Sequence, residues 1–121
     1  MAWKIKKDVL LAIMEFSKAS YPNEFSGLLV GDDQLVSDIY ILPATQNYTH
    51  SSVLRLDLAP MTTKIIGSVH SHPIPSGTPS SADLKFFSTK KINIISFFPF
   101  NLESFLAYDS FGKEVFLEIS D

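Results

Sequence analysis

The spacing of hydrophobic positions changes several times along the chain, and each change marks an element. Residues 2–6 alternate apolar and polar, which predicts a short edge strand. Asp8 is a plausible N-cap, and Val9, Leu10, Ile13, Met14 and Ser17 then recur at helical spacing, leaving Lys7, Glu15 and Lys18 for a wetter face. Pro22 disfavours helix at the residue before it, so this helix should end near Ser20. It reads as a packing helix without chemistry. Phe25–Val30 predicts a buried strand, Gly31-Asp32-Asp33 a turn, and residues 34–42 the second strand of a hairpin. Residues 43–52 are a polar loop, Val53–Asp57 is short and strand-like, and residues 59–64 form a connection. Ile65, Ile66 and Val69 open a further strand. Pro73, Pro75, Gly77 and Pro79 stop it, and a helix start follows at Ser80 to Asp83. Leu84, Phe86 and Phe87 continue that short helix until Lys90-Lys91 breaks it. Ile92–Phe98 is so apolar that both of its faces must be covered. Residues 102–108 and 114–119 alternate and are joined by the hairpin turn Asp109-Ser110-Phe111-Gly112. The sum predicts one mixed α/β (α+β) domain over residues 1–121. It has a mainly β sheet of about six strands, one long N-terminal helix and one short later helix.

Composition narrows the classes of function. A chain of 121 residues is one domain and buries about two-thirds of its unfolded surface, enough for a core without staples. A net charge of −3 gives no reason to expect nucleic acid or an anionic membrane as partner. There is no cysteine, hence no disulfide, no thiolate ligand and no cysteine nucleophile. Any metal must be held by histidines and carboxylates. Charges at Glu15 and Lys18 interrupt the first apolar run, so no signal peptide or membrane span is expected, and the cytoplasm is the expected compartment.

The candidate chemistry lies in Gly67–Asp83. His70 and His72 are separated by one residue, and on a strand residues i and i+2 point to the same face. The turn then brings Asp83 back towards them. Two imidazoles and one carboxylate make a zinc site with one position open, as in catalytic rather than structural zinc. A His-x-His pair by itself is weak evidence; Pro73, the turn, Ser80 and Asp83 at this spacing strengthen it. Other polar residues have plainer readings. Ser80 before a helix is an N-cap, and S-x-x-D is close to a capping box, a role compatible with a second one. Glu24, just before an apolar strand, reads locally as a solvated turn carboxylate. His50 lacks a ligand-spaced partner and reads as a surface loop residue.

Taken in order, these residues resemble a known signature. Glu24, then His70-Ser71-His72-Pro73, five residues, Pro79-Ser80, two residues and Asp83 are similar to the JAMM motif of MPN-domain metalloproteases, with the nearest likeness to compact archaeal members. The resemblance runs along the whole chain: a leading helix, a strand preceded by Glu, a polar loop with Asn47, a strand at Leu54–Asp57, the His-Ser-His-Pro stretch and a closing hairpin. It implies a sheet wrapped by helices with zinc in a surface groove. It implies His70, His72 and Asp83 as zinc ligands, Glu24 as general base and proton shuttle, and Ser80 as an oxyanion donor. The implied activity is hydrolysis of peptide or isopeptide bonds after the C-terminal tail of a ubiquitin-like modifier or sulfur-carrier protein. Glu24 on a rigid strand start suits a base that stands near the metal without binding it.

Two features depart from the larger members of that family. The segments between Asp57 and Gly67 and after Asp83 are short, leaving no room for an insertion that clasps ubiquitin and selects a linkage. An open groove taking an extended tail by strand addition, with Leu54–Asp57 as candidate edge, is the expectation instead. The competing reading is a non-catalytic MPN-type scaffold or binding module, although such domains typically lack a motif residue and none is missing here. A zinc deaminase is disfavoured by the absence of cysteine, and a nuclease by the acidic charge.

Overall fold

The computed structural model describes residues 2–41 and 64–121. In chain order the elements are β1 (Trp3–Lys6), α1 (Lys7–Ser20), β2 (Ser26–Asp32), β3 (Leu35–Ile41), β4 (Ile65–His72), α2 (Ser81–Phe87), β5 (Ile92–Phe97), β6 (Phe105–Tyr108), β7 (Glu114–Val115) and β8 (Leu117–Ser120). The α+β class with one long and one short helix is as expected, and the described residues hold eight strands rather than about six. The loop at 43–52, with Asn47 and His50, and the strand at Leu54–Asp57 with its proposed edge lie outside the described residues.

All eight strands join one sheet in the order β7-β6-β5-β4-β2-β3-β1-β8. A flat sheet of eight strands would hold its outer strands roughly 34 Å apart. Yet β7 ends at Val115 and β8 starts at Leu117, and two residues span about 7 Å at most. The sheet is therefore curled until its two edges approach each other at Phe116. This corrects the expected closing hairpin: β7 is two residues long, and the chain then crosses to pair with β1 in parallel. It also corrects the expected edge strand at residues 2–6, because β1 lies between β3 and β8, parallel to both. The alternation there was real, but it reported one covered and one exposed face of the strand, not an unpaired edge.

Helix α1 lies against one face of this curled sheet. Val9, Leu10, Ile13, Met14 and Ser17 are its buried stripe, as their spacing predicts. Val9, Leu10, Ile13 and Met14 pack with Ile5, Leu29, Val36, Val69, Ile92, Ile94 and Leu117 in the main core. Complete burial of a side chain such as Leu10 or Ile13 stabilises by about 1.5–3 kcal/mol. Asp8 is not the N-cap. The helix begins at Lys7 and is entered directly from β1, with Lys6 at the cap position and no side-chain cap bond. Asp8 sits in the first turn, where its charge favours the helix dipole. Ser17 Oγ donates to the Ile13 carbonyl and shares a 2.7 Å hydrogen bond with Ser96 Oγ, tying helix to sheet.

The opposite face of β4 and β5 is covered by α2. Parallel pairing sets Val69 beside Ile94 and Ser71 beside Ser96 on the α1 face. The alternate residues, His70 beside Ile95 and His72 beside Phe97, stand on the other face. There Phe87 of α2 packs with Ile95 and Tyr108 in a second, smaller cluster. Both faces of β5 are covered, as its strongly apolar sequence predicts. Among the described residues, no helix is long and apolar enough to cross a membrane.

Candidate metal centre

The centre is assembled where β4 ends. His70 and His72 project from one face of that strand, and their Nε2 atoms stand 3.2 Å apart. Helix α2 presents Asp83 to both rings: Oδ1 lies 3.1 Å from His70 Nε2, and Oδ2 lies 3.4 Å from His72 Nε2. A tetrahedral zinc ion with bonds of about 2.0–2.1 Å separates its donors by roughly 3.3–3.4 Å. The two imidazole nitrogens, and each imidazole with its nearer Asp83 oxygen, stand at or near that separation, and one donor atom from each residue lies within 4.8 Å of the others, so the group is positioned for a metal ion, and its nitrogen and oxygen donors fit zinc.

The surroundings fix each donor. His72 Nδ1 lies 3.2 Å from the Ser76 carbonyl, which can only accept, so Nδ1 carries a proton. In the neutral ring this leaves the Nε2 lone pair facing the centre, as a ligand requires. The ring of His70 packs on Phe87, with centroids 6.4 Å apart, and Phe87 stacks on Tyr108 at 5.6 Å. Asp83 is held by a complete capping box: Ser80 N donates to Asp83 Oδ2 at 2.8 Å, and Asp83 N donates to Ser80 Oγ at 3.1 Å. The N-cap reading of Ser80 is thus realised, and among the described residues no acceptor takes its hydroxyl hydrogen. Asp83 therefore both starts α2 and faces the imidazoles, which explains why Ser and Asp stand three residues apart here.

Glu24 lies just before β2, next to the strand that carries the imidazoles. Ser26 pairs with His70, and Phe25 exchanges two bonds with Ser71: its N–H donates to Ser71 Oγ, and its carbonyl accepts from Ser71 N. Continuing the antiparallel register sets Glu24 across from His72. Its carboxylate is exposed, and among the described residues no hydrogen bond or ion pair engages it. Its charge is nonetheless felt by His72. That imidazole is raised above its usual pKa chiefly by the hydrogen bond to Asp83, with burial opposing and smaller support from the Ser76 carbonyl and the charges of Asp83 and Glu24. Burial pushes the Asp83 carboxyl up, but the hydrogen bonds from His70 and His72 outweigh it and hold the group far below the usual carboxylate range.

These opposed shifts set a pH dependence for the metal-free protein. The Asp83 contribution is present above the unfolded pKa of about 3.9 and is lost only in strong acid. The His72 contribution is complete below the unfolded pKa of about 6.5 and is lost as pH rises through the higher folded value. The melting temperature of metal-free protein is therefore expected to fall between pH 6 and pH 9. Zinc-loaded protein should run the other way, because the metal needs the imidazole deprotonated. Thermal scans of both forms across that range check the sign.

Sequence reasoning did not find Tyr108 or Phe87. Phe87 lies four residues after Asp83 on α2, a spacing that puts both on one helix face. Tyr108 has no local signal, since it reaches the centre through the pairing of β6 with β5. The stiffness of the 73–79 turn, expected from its prolines, also rests on bonds from Tyr108 Oη to the Gly77 carbonyl (2.7 Å) and from Phe98 N to the Ile74 carbonyl (3.2 Å).

Comparison with known proteins agrees with this geometry. Residues 6–105 match the family of prokaryotic homologues of the JAB domain. A probable metalloprotease of Haloferax volcanii is 34% identical over 97% of this chain and 79% of its own length. A JAB1/MPN domain protein from Archaeoglobus fulgidus superposes with a TM-score of 0.81 at 34% identity, covering 98% of this chain and 99% of that one. A structure described as a JAMM metalloprotease-like zinc site in the proteasome and signalosome matches with a TM-score of 0.79 at 32% identity over 100% of both chains. The chain belongs to the prokaryotic JAB-domain family, with a probable metalloprotease among its relatives and JAB1/MPN and JAMM zinc-site proteins among the solved structures it resembles.

Proposed function

We propose that this protein is a zinc-dependent hydrolase cleaving peptide or isopeptide bonds that follow the C-terminal tail of a ubiquitin-like modifier or sulfur-carrier protein. The observation that carries the reading is the convergence of His70, His72 and Asp83 at zinc-like donor spacing beside an exposed, unligated carboxylate. His70 Nε2, His72 Nε2 and one Asp83 oxygen would hold the ion. Bound zinc supplies a Lewis acid that polarises the scissile carbonyl and makes water a competent nucleophile near neutral pH.

The chain's own residues do the rest. Glu24 accepts the proton that the attacking water sheds and returns it to the leaving amine, so that one carboxylate serves as base and then as acid. The Ser80 hydroxyl, its lone pair occupied by Asp83 N, directs its hydrogen at the oxyanion as charge develops. After Asp83 the chain has only the remainder of α2 and four residues before β5, which leaves the site open on that side. An open groove suits an extended tail better than a clasped folded domain. We place the protein in the cytoplasm as part of the same reading.

A chelator is expected to abolish cleavage of ubiquitin-like and sulfur-carrier fusions, and added zinc to restore it. Cleavage that persists in chelator would refute the assignment. Fusions with an α-linked extension and conjugates through a lysine, tested side by side, separate tail maturation from isopeptide removal. Full zinc occupancy without turnover of any tail-bearing protein would favour a binding module instead.

A further inference from the structure

The turn between β4 and α2 has one weak joint. Gly77 lies so close to the sheet that a Cβ there would come within 3.0 Å of Phe97 and 3.1 Å of Leu106. A Cβ would fit there only if those two side chains gave way by a few tenths of an ångström, so the close approach favours glycine, which brings the widest backbone freedom of any residue. The peptide on its N-terminal side carries the Ser76 carbonyl that receives His72 Nδ1–H. A rotation about Gly77 would swing that acceptor away and leave the imidazole free to change tautomer or turn. Exposed bonds between Ser76 and Thr78 bridge the glycine, and the buried restraint on the rotation is the Tyr108 hydroxyl, donating at 2.7 Å to the Gly77 carbonyl from β6.

We propose that Tyr108 is a positioning residue for the metal centre: its hydroxyl locks the Gly77 carbonyl, and through the adjoining peptide it sets the orientation and tautomer of His72. The inference rests on the zinc-site reading above. The ring of Tyr108 has a separate task, since it stacks on Phe87, which in turn backs His70. Removing the hydroxyl alone separates the two tasks. Tyr108→Phe keeps the stack and releases the turn.

The test is zinc affinity, measured by competition with a chelating dye on metal-free protein. Partners that orient a ligand are worth 10–100-fold in metal affinity, and Tyr108 acts one bond further out, so Tyr108→Phe should bind zinc roughly tenfold more weakly. Nitrogen NMR of the metal-free imidazoles should show the Nδ1–H tautomer of His72 losing population in the variant. Ser17→Ala removes a buried hydrogen bond on the α1 face and is expected to lower the melting temperature while leaving zinc affinity unchanged. Gly77→Ala, which presses on Phe97 and Leu106, should weaken zinc binding in the same direction. The double variant should bind no worse than the weaker single one, because both act through one hydrogen bond. Unchanged zinc affinity and tautomer in Tyr108→Phe, or fully additive losses in the double variant, would overturn the proposal. Absence of zinc binding by the unaltered protein would instead overturn the site itself.

Discussion

Glu24→Gln is expected to bind zinc as tightly as the unaltered protein and to cleave its substrate about a thousandfold more slowly. Positioned acid–base groups contribute roughly 10²–10⁴ in rate, and Glu24 is asked to act in two successive proton transfers. The amide has the size of the carboxylate but cannot accept the proton. Among the described residues no bond to the carboxylate is broken by the change, and the neighbouring bonds between Phe25 and Ser71 do not involve it. A loss of rate therefore cannot be charged to misfolding or to loss of metal. Single-turnover cleavage alongside zinc titration separates the two quantities. Normal cleavage by Glu24→Gln would show that the base lies elsewhere.

His70→Ala should lose zinc by more than the hundredfold that an orienting partner is worth, and lose hydrolysis with it. Two donors remain, and neither imidazole nor carboxylate alone holds zinc well enough to compensate. Asp83→Ala should lose zinc to a similar degree and carry an added penalty. It also removes the carboxylate that accepts from Ser80 N, and a broken helix cap costs about 1 kcal/mol. Metal content by mass spectrometry should thus fall alike in both variants. The metal-free melting temperature should fall further in Asp83→Ala. Equal zinc content in His70→Ala and the unaltered protein would remove the imidazole from the ligand set.

How far the sequence could lead depended on the range of each signal. The α1 stripe was legible down to its five buried residues and its end at Ser20, because helix periodicity is local and Pro22 punctuates it. The convergence of the imidazoles was legible because strand geometry alone decides that residues 70 and 72 share a face. The arrival of Asp83 depended on a turn whose course the prolines limit but do not dictate. The strand order was not legible. Nothing in Leu117–Ser120 says that it pairs with Trp3–Lys6 at the far edge of the curled sheet rather than continuing the hairpin from Glu114–Val115. That choice is made by curling around α1, which places the two ends of the sheet side by side. Tyr108 was missed for the same reason: its role comes from pairing across β5, and its own neighbours in sequence mark only a strand. Asp8 was misread as a cap because the chain passes from β1 into α1 with no loop between them, so the cap position falls on Lys6, the last residue of β1.

The central claim is that His70, His72 and Asp83 together hold one zinc ion. X-ray absorption on protein reloaded after chelation tests it most directly, since it reports both the stoichiometry and the identity of the neighbours. One zinc per chain, with two imidazoles and oxygen neighbours at about 2.0–2.1 Å, is the predicted result. A chain that takes up no zinc, or one whose zinc has fewer than two imidazole neighbours, would contradict it.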